Sequence, residues 1–207
     1  MDAGNLSKRT KKLLQYNGFP LIYLHKCGDD LSSFSHALDA AVDNNEFGPY
    51  VDKHSPEELR REGVTAFLSR DRMAGVAVWP DGNIRAVFSD RRSKHRRAIG
   101  ELLLTALSAG GTKLDCFDGF LRVIYAKFGF IPVARVKFEC EHAPENWKSS
   151  FGEPDIIFWK HCGDPVEKVA EKINQYPVYT DISTLPYLSY ADASQHRDSL
   201  IQEKARG

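Results

Sequence analysis

Residues 83–130 constrain this chain more than any other stretch. They open on an apolar run, Ile84–Phe88, that reads as a buried strand, and continue through a short loop in which Arg91, Arg92, Lys94, His95, Arg96 and Arg97 occur with no acid among them before Gly100. A Leu-rich helical run follows at 101–108, then a second strand at 113–117 and a second helix at 120–128, closed by Gly129-Phe130. Strand, cationic loop, helix, strand, helix is a crossover arrangement of the α/β kind. A helix N-terminus offers free N–H groups and the positive end of the helix dipole, so a basic loop leading into one suits an anion such as the phosphate of a cofactor.

The preceding chain supplies the rest of a sheet. Residues 64–68 and 75–78 read as strands separated by the charged turn 69–72. Pro80-Asp81-Gly82-Asn83 is a turn with Pro early and Gly late. Residues 64–88 are therefore expected to form a three-stranded antiparallel meander. Upstream, a helix is expected over 6–16 with Ser7 as cap, a strand over 20–24, and a helix over 32–44, where Phe34, Leu38 and Val42 recur four apart. Ser55-Pro56-Glu57-Glu58 combines an N-cap Ser, an N1 Pro and an N3 Glu, which marks a helix start. Downstream, 132–138 and 155–159 read as two antiparallel strands joined by a polar loop, and 166–174 as a helix. The segment 176–190 is rich in Tyr and Pro without periodicity, and 191–205 reads as a polar helix or a frayed tail.

With these residues in place the chain resembles the GCN5-related N-acetyltransferases (GNAT) over about 20–160. The family's cofactor loop, Q/R-x-x-G-x-G/A, corresponds to His95-Arg96-Arg97-Ala98-Ile99-Gly100, with the last Gly in place and His95 and Ala98 departing from the pattern. The later signature, N-x-x-A-x-x-x-Y followed by Gly-Phe, corresponds to Asp118 through Tyr125 and Gly129-Phe130, with Asp118 for Asn and Leu121 for Ala. The resemblance implies an α/β fold of the α+β mixed-sheet kind, a GNAT-like acyl-CoA N-acyltransferase fold with six or seven strands. In it 113–117 would run parallel to 84–88 and splay from it around acetyl-CoA. The resemblance covers a catalytic domain at 20–162, after an N-terminal helix at 1–19; the C-terminal extension at 163–207 lies outside the family core, and its Tyr, Leu and Pro content is too apolar for a solvated linker, so Val178, Leu185, Tyr187 and Leu188 are expected to pack on the core or on a second subunit.

The resemblance also assigns roles. Backbone groups near Phe88 and Ser89 would hold the pantetheine arm of acetyl-CoA. The N–H groups from Arg96 through Arg97, Ala98 and Ile99 to Gly100 would hold the pyrophosphate, helped by Arg91, Arg92 and the anion-facing His95. Tyr125 would protonate the departing sulfur, and Asp90 or Asp118, each at a strand end, would serve as base unless a water does. The acceptor is an amine on a small molecule or protein, set by 26–63 and 142–154. A catalytically silent binding or inhibitory domain of the same fold is the alternative, as is a nucleic-acid modifier, which the balance of 28 basic and 28 acidic residues disfavours. A homodimer is compatible with the apolar tail.

Four scattered cysteines without a C-x-x-C pair fit a reduced, cytoplasmic protein. No apolar run approaches the ~20 residues of a membrane span, and the N-terminus has no apolar secretory segment. Cys140, His142, His161 and Cys162 could be imagined as zinc ligands, but antiparallel pairing of the last two strands would set Cys140 and His161 at opposite ends of the ladder, so no metal is expected.

Overall fold

A computed structural model of the chain describes residues 4–94, 97–144 and 147–206. Its contacts divide into two compact units. One runs to Thr112 and includes Pro165–Glu171; the other comprises Lys113–Asp164 and the chain from Lys172 onward. The C-terminal extension therefore contributes to both.

The first unit holds α1 (Lys8–Tyr16), β1 (Leu24–Lys26), α2 (Ser32–Asp43), α3 (Pro56–Arg61), β2 (Thr65–Ser69), β3 (Ala74–Val78), β4 (Ile84–Ser89) and α4 (Ile99–Ser108). Its sheet is antiparallel throughout, in the order β1-β2-β3-β4. The meander follows from its turn chemistry. Asp81 accepts from the Asn83 N–H at 3.0 Å, Gly82 takes φ +81°, and Trp79 N–H closes on the Asn83 carbonyl at 2.9 Å. Ser7 caps α1, and Ser55 with Glu58 completes a capping box on α3. The apolar stripe of α2, with Phe34 and Leu38 fully buried, packs on Ala66, Leu68, Ala77 and Phe88 from β2 to β4.

One expectation fails here, and one expected strand carries an irregularity. Residues 20–23 are not a strand, because Ile22 and Tyr23 donate their N–H groups to the Glu101 carboxylate rather than to a ladder, and Tyr23 takes φ +54°. Strand β4 is also irregular. Gly75 pairs with Phe88 and Ala77 with Arg85, so two steps along β3 face three along β4, and Ala86 takes φ +49°. This is a bulge, which bends the strand and re-aims its backbone.

The second unit holds β5 (Lys113–Phe117), α5 (Leu121–Lys127), β6 (Phe130–Val136), β7 (Ile156–His161) and α7 (Tyr190–Arg206); α6 (Val166–Lys172) lies in the extension. Its sheet, β5-β7-β6, is antiparallel, with Phe130 opposite His161 and Val136 opposite Ile156. The expected single mixed sheet is thus corrected. There are two antiparallel sheets, and β5 takes β7 as its ladder partner; among the described residues no ladder joins it to β4.

Helix α7 is not a frayed tail. It lies on β6 and β7, with Ala193 buried against Val133, Ala134 and Phe158. Arg197, 2 % exposed, donates to the Leu114 carbonyl at 3.2 Å, sits 3.6 Å from Asp115 and lies over the Phe158 ring. Lys113 reaches Asp198 at 2.8 Å. Ahead of α7 the chain runs beside β6: Arg135 N–H donates to Pro186, Leu188 N–H donates to Arg135, and the Arg135 guanidinium stacks on Tyr187, 3.9 Å from the ring centre. Leu188 packs on the core as expected, whereas Val178 is exposed and Ile182, not singled out in the sequence, is buried.

Candidate functional site

In the first unit, β4 delivers Phe88 and Ser89 and then turns sharply. Asp90 organises that turn. Its N–H donates to Met73, its carbonyl accepts from Ser93, and its carboxylate receives Arg92 twice through the side chain, at 3.0 and 2.7 Å, and once through the backbone at 2.8 Å. The Arg92 side chain, with smaller help from the Arg92 backbone, holds the Asp90 carboxyl below the usual carboxylate range. The Asp90 carboxylate is thus buried and doubly engaged by Arg92, and it shapes the turn that follows β4. Arg91 is largely exposed, 3.9 Å from Glu46.

His95 and Arg96 lie outside the described residues. Arg97 takes φ +64° and its guanidinium is 3.4 Å from the Gly18 carbonyl. Ala98, where the family has Gly, takes φ −50° and ψ −28°. The left-handed position thus falls on Arg97, and an alanine side chain at 98 meets no backbone penalty. Ile99 opens α4. Gly100 is required for a different reason from the one its motif implies. A side-chain carbon there would stand 2.5 Å from the Phe19 ring, and its N–H donates to the Arg97 carbonyl at 3.3 Å. Phe88 is buried, edge-on to Phe34 at 5.5 Å, and Ser89 is paired with Ala74.

In the second unit Tyr125 lies on α5, 6 % exposed, edge-on to Phe130 and Trp159. Burial, followed by the neighbouring Cys116 and Asp115, pushes its phenol above its ordinary value. Asp118 follows β5; its N–H donates to the Asp155 carbonyl at 2.7 Å and its carboxylate lies 3.4 Å from Arg122. The structure thus groups Phe88 to Gly100 in one unit and places Tyr125 and Asp118 in the other.

Sequence reasoning missed Glu101 and Arg197. Glu101 is 2 % exposed and ties residues 22–23 to the start of α4. The signal was available: an acid inside Ile-Gly-Glu-Leu-Leu-Leu, apolar on every side, is buried and has to be partnered. A scan against protein-family models and searches of curated proteins and of solved structures found no match.

Proposed function

We propose that the chain is an acetyl-CoA-dependent N-acetyltransferase acting on an amine. One observation carries the reading. Strand β4, the last of an antiparallel meander, bulges at Ala86 and passes through a cationic turn directly into the N-terminus of α4. That is the sequence of backbone features a pantetheine arm and a pyrophosphate need, a strand with a re-aimed backbone followed by a positive helix end. The resemblance supports it further through its two motifs, His95–Gly100 and Asp118–Tyr125 with Gly129-Phe130.

In this reading the backbone near Phe88 and Ser89 holds the pantetheine, and Arg91, Arg96 and Arg97 face the phosphates. Arg92 acts through Asp90, by shaping the turn. The acceptor amine attacks the thioester carbonyl, the carbon–sulfur bond breaks, the sulfur takes up a proton and the amine releases one to solvent; the resemblance assigns delivery of the sulfur's proton to Tyr125, which regains it from solvent. A tyrosine, with an ordinary value of about 10, carries its proton at neutral pH; burial raises that value, which keeps the proton in place and makes the phenol a weaker acid. The closure of Asp90 by Arg92 favours water over Asp90 as the base, and is the observation that keeps a silent coenzyme A-binding domain as a second reading.

Calorimetric titration with coenzyme A tests the proposal. Charge-assisted contacts contribute roughly 1.5–3 kcal/mol each, so replacing Arg96 and Arg97 with Ala weakens binding by about tenfold or more, and less at high salt. Unchanged affinity removes the loop from cofactor binding. Tyr125→Phe lowers kcat by about 10²–10⁴-fold with coenzyme A affinity retained. Binding without transfer to any amine in a lysate selects the silent domain.

A further inference from the structure

On the coenzyme A reading, we propose that Glu101 is a positioning residue for the phosphate end of the cofactor. It holds residues 18–23 as a strap behind the loop at 97–101, and the strap fixes how the first turn of α4 meets the pyrophosphate. Glu101 itself does not touch the cofactor.

The start of α4 is built unlike those of α1 and α3. Ser7 and Ser55 cap those two helices through their side chains, and in α3 the acid at the third helical position, Glu58, reaches back to the Ser55 N–H at 3.1 Å. Helix α4 has Ala98 at its cap position, with no side-chain oxygen to offer. Its third-position acid, Glu101, serves another segment: one carboxylate oxygen accepts from both the Ile22 and the Tyr23 N–H groups. A buried carboxylate needs donors, and main-chain N–H groups outside any ladder need an acceptor, so each satisfies the other.

Two further ties join the same stretches. The Arg97 guanidinium donates to the Gly18 carbonyl at 3.4 Å, and the Phe19 ring fills the space that a side chain at Gly100 would need. The strap is anchored at both ends. The Asn17 side chain donates to the Ala170 carbonyl of α6 at 3.0 Å, and the chain after Tyr23 enters β1, which pairs with β2. Arg97 and Tyr23, at φ +64° and +54°, both sit in the left-handed region that side chains rarely adopt. Such positions persist where the surroundings hold them. A loop held in one shape loses little freedom when it binds, so a released loop meets the phosphates less well.

Glu101→Ala, Glu101→Gln and Phe19→Ala are compared with the unmodified full chain by hydrogen exchange and by calorimetric titration with coenzyme A at low and high salt. Glu101→Ala leaves two N–H groups unpaired, speeds exchange in 18–23 and in the first turn of α4, and weakens coenzyme A binding by about tenfold. The salt dependence of affinity, which reports the phosphate contacts, becomes shallower. Glu101→Gln keeps an oxygen for both N–H groups and restores native affinity and salt dependence. Phe19→Ala loosens the strap without leaving a polar group unpaired. It shifts affinity and salt dependence in the same direction by less, and provides the measurement if Glu101→Ala does not fold. Native coenzyme A affinity in Phe19→Ala and in any folded Glu101→Ala overturns the positioning role and leaves the transferase reading standing. A loss that Glu101→Gln does not rescue, or one with unchanged salt dependence, overturns it as well. Absence of coenzyme A binding by the unmodified chain overturns both.

Discussion

The two sheets are stabilised in opposite ways. The four-stranded sheet is a local product. Strands β2, β3 and β4 follow one another through short turns, with β1 joined to β2 through α2 and α3; β2 and β3 are buried along nearly their whole length, and the core is a continuous aliphatic and aromatic cluster from Leu31 to Phe88. The three-stranded sheet is assembled from distant pieces. Its cover, α7, arrives about 30 residues after β7 ends and is fixed by charge, with Arg197 and Lys113 both buried against Asp115 and Asp198. Apolar packing tolerates small errors of position, whereas a buried guanidinium requires its partners in place. The second unit is therefore expected to be the more sensitive to single polar substitutions, and the first to changes of volume.

The strongest challenge to that contrast is Arg197→Met, which keeps the bulk and removes the charge. Removing one member of a buried ionic set costs about 3–5 kcal/mol, and the low end applies because Asp115 and Asp198 remain partly in water. Chemical denaturation measures the loss, and hydrogen exchange places it in β5 to β7 with α7; equal deprotection of β1 to β4 would erase the distinction. Next is Gly100→Ala. The added methyl meets the Phe19 ring, and overpacking of this kind costs about 1–3 kcal/mol. Here the exchange signature falls on residues 19–26 and α4, and Gly100→Ala with Phe19→Ala recovers much of the loss if the clash is the cause.

A smaller effect concerns acid. The folded state holds the Asp90 carboxyl below its unfolded value, so its contribution is complete above the unfolded carboxylate value, about 3.9, and is lost as pH falls through the folded one. Asp90→Asn thus lowers stability at neutral pH and flattens the acid limb below about pH 4; a parallel shift of the whole curve would place the proton elsewhere. The smallest effect is chemical. Burial pushes the Cys27 thiol up to about 11, so at pH 8 only roughly one molecule in a thousand carries the thiolate. Iodoacetamide labels the exposed Cys140 first, and Cys27 only as pH rises, as followed by peptide mass.

The same contrast explains what the sequence disclosed. The meander, the capping box of α3 and the helices α2 and α4 were legible because their causes lie within a few residues: a Pro-Asp-Gly-Asn turn, a Ser with Glu three positions on, an apolar stripe. The loop after β4 was legible as cationic, but the use of its charges was not, since Arg92 turns back on Asp90 two residues away. Glu101 with Ile22, Arg197 with Leu114 and Arg135 with Tyr187 join residues with no periodic relation to one another, and no local pattern announces them. Ile22 and Tyr23 were misassigned for that reason: an apolar run predicts a strand until a distant carboxylate takes its N–H groups. In the candidate site, Tyr125 and the loop were visible through their motif, while the burial of the tyrosine depends on Phe130 and Trp159 arriving from two other strands.

The run of chain beside β6 has a consequence for behaviour in concentrated solution. Strand β6 is the outermost strand of its sheet, and an outermost strand presents unpaired backbone groups that can recruit a strand from another molecule. Residues 186–188 occupy that position from within, through the two Arg135 backbone hydrogen bonds. The extension is thus a guard against self-association as well as a support for α7. Shortening the chain before Pro186 exposes β6 to its own copies, and clumping of the product on expression would come from the uncovered strand before it came from any loss of the core.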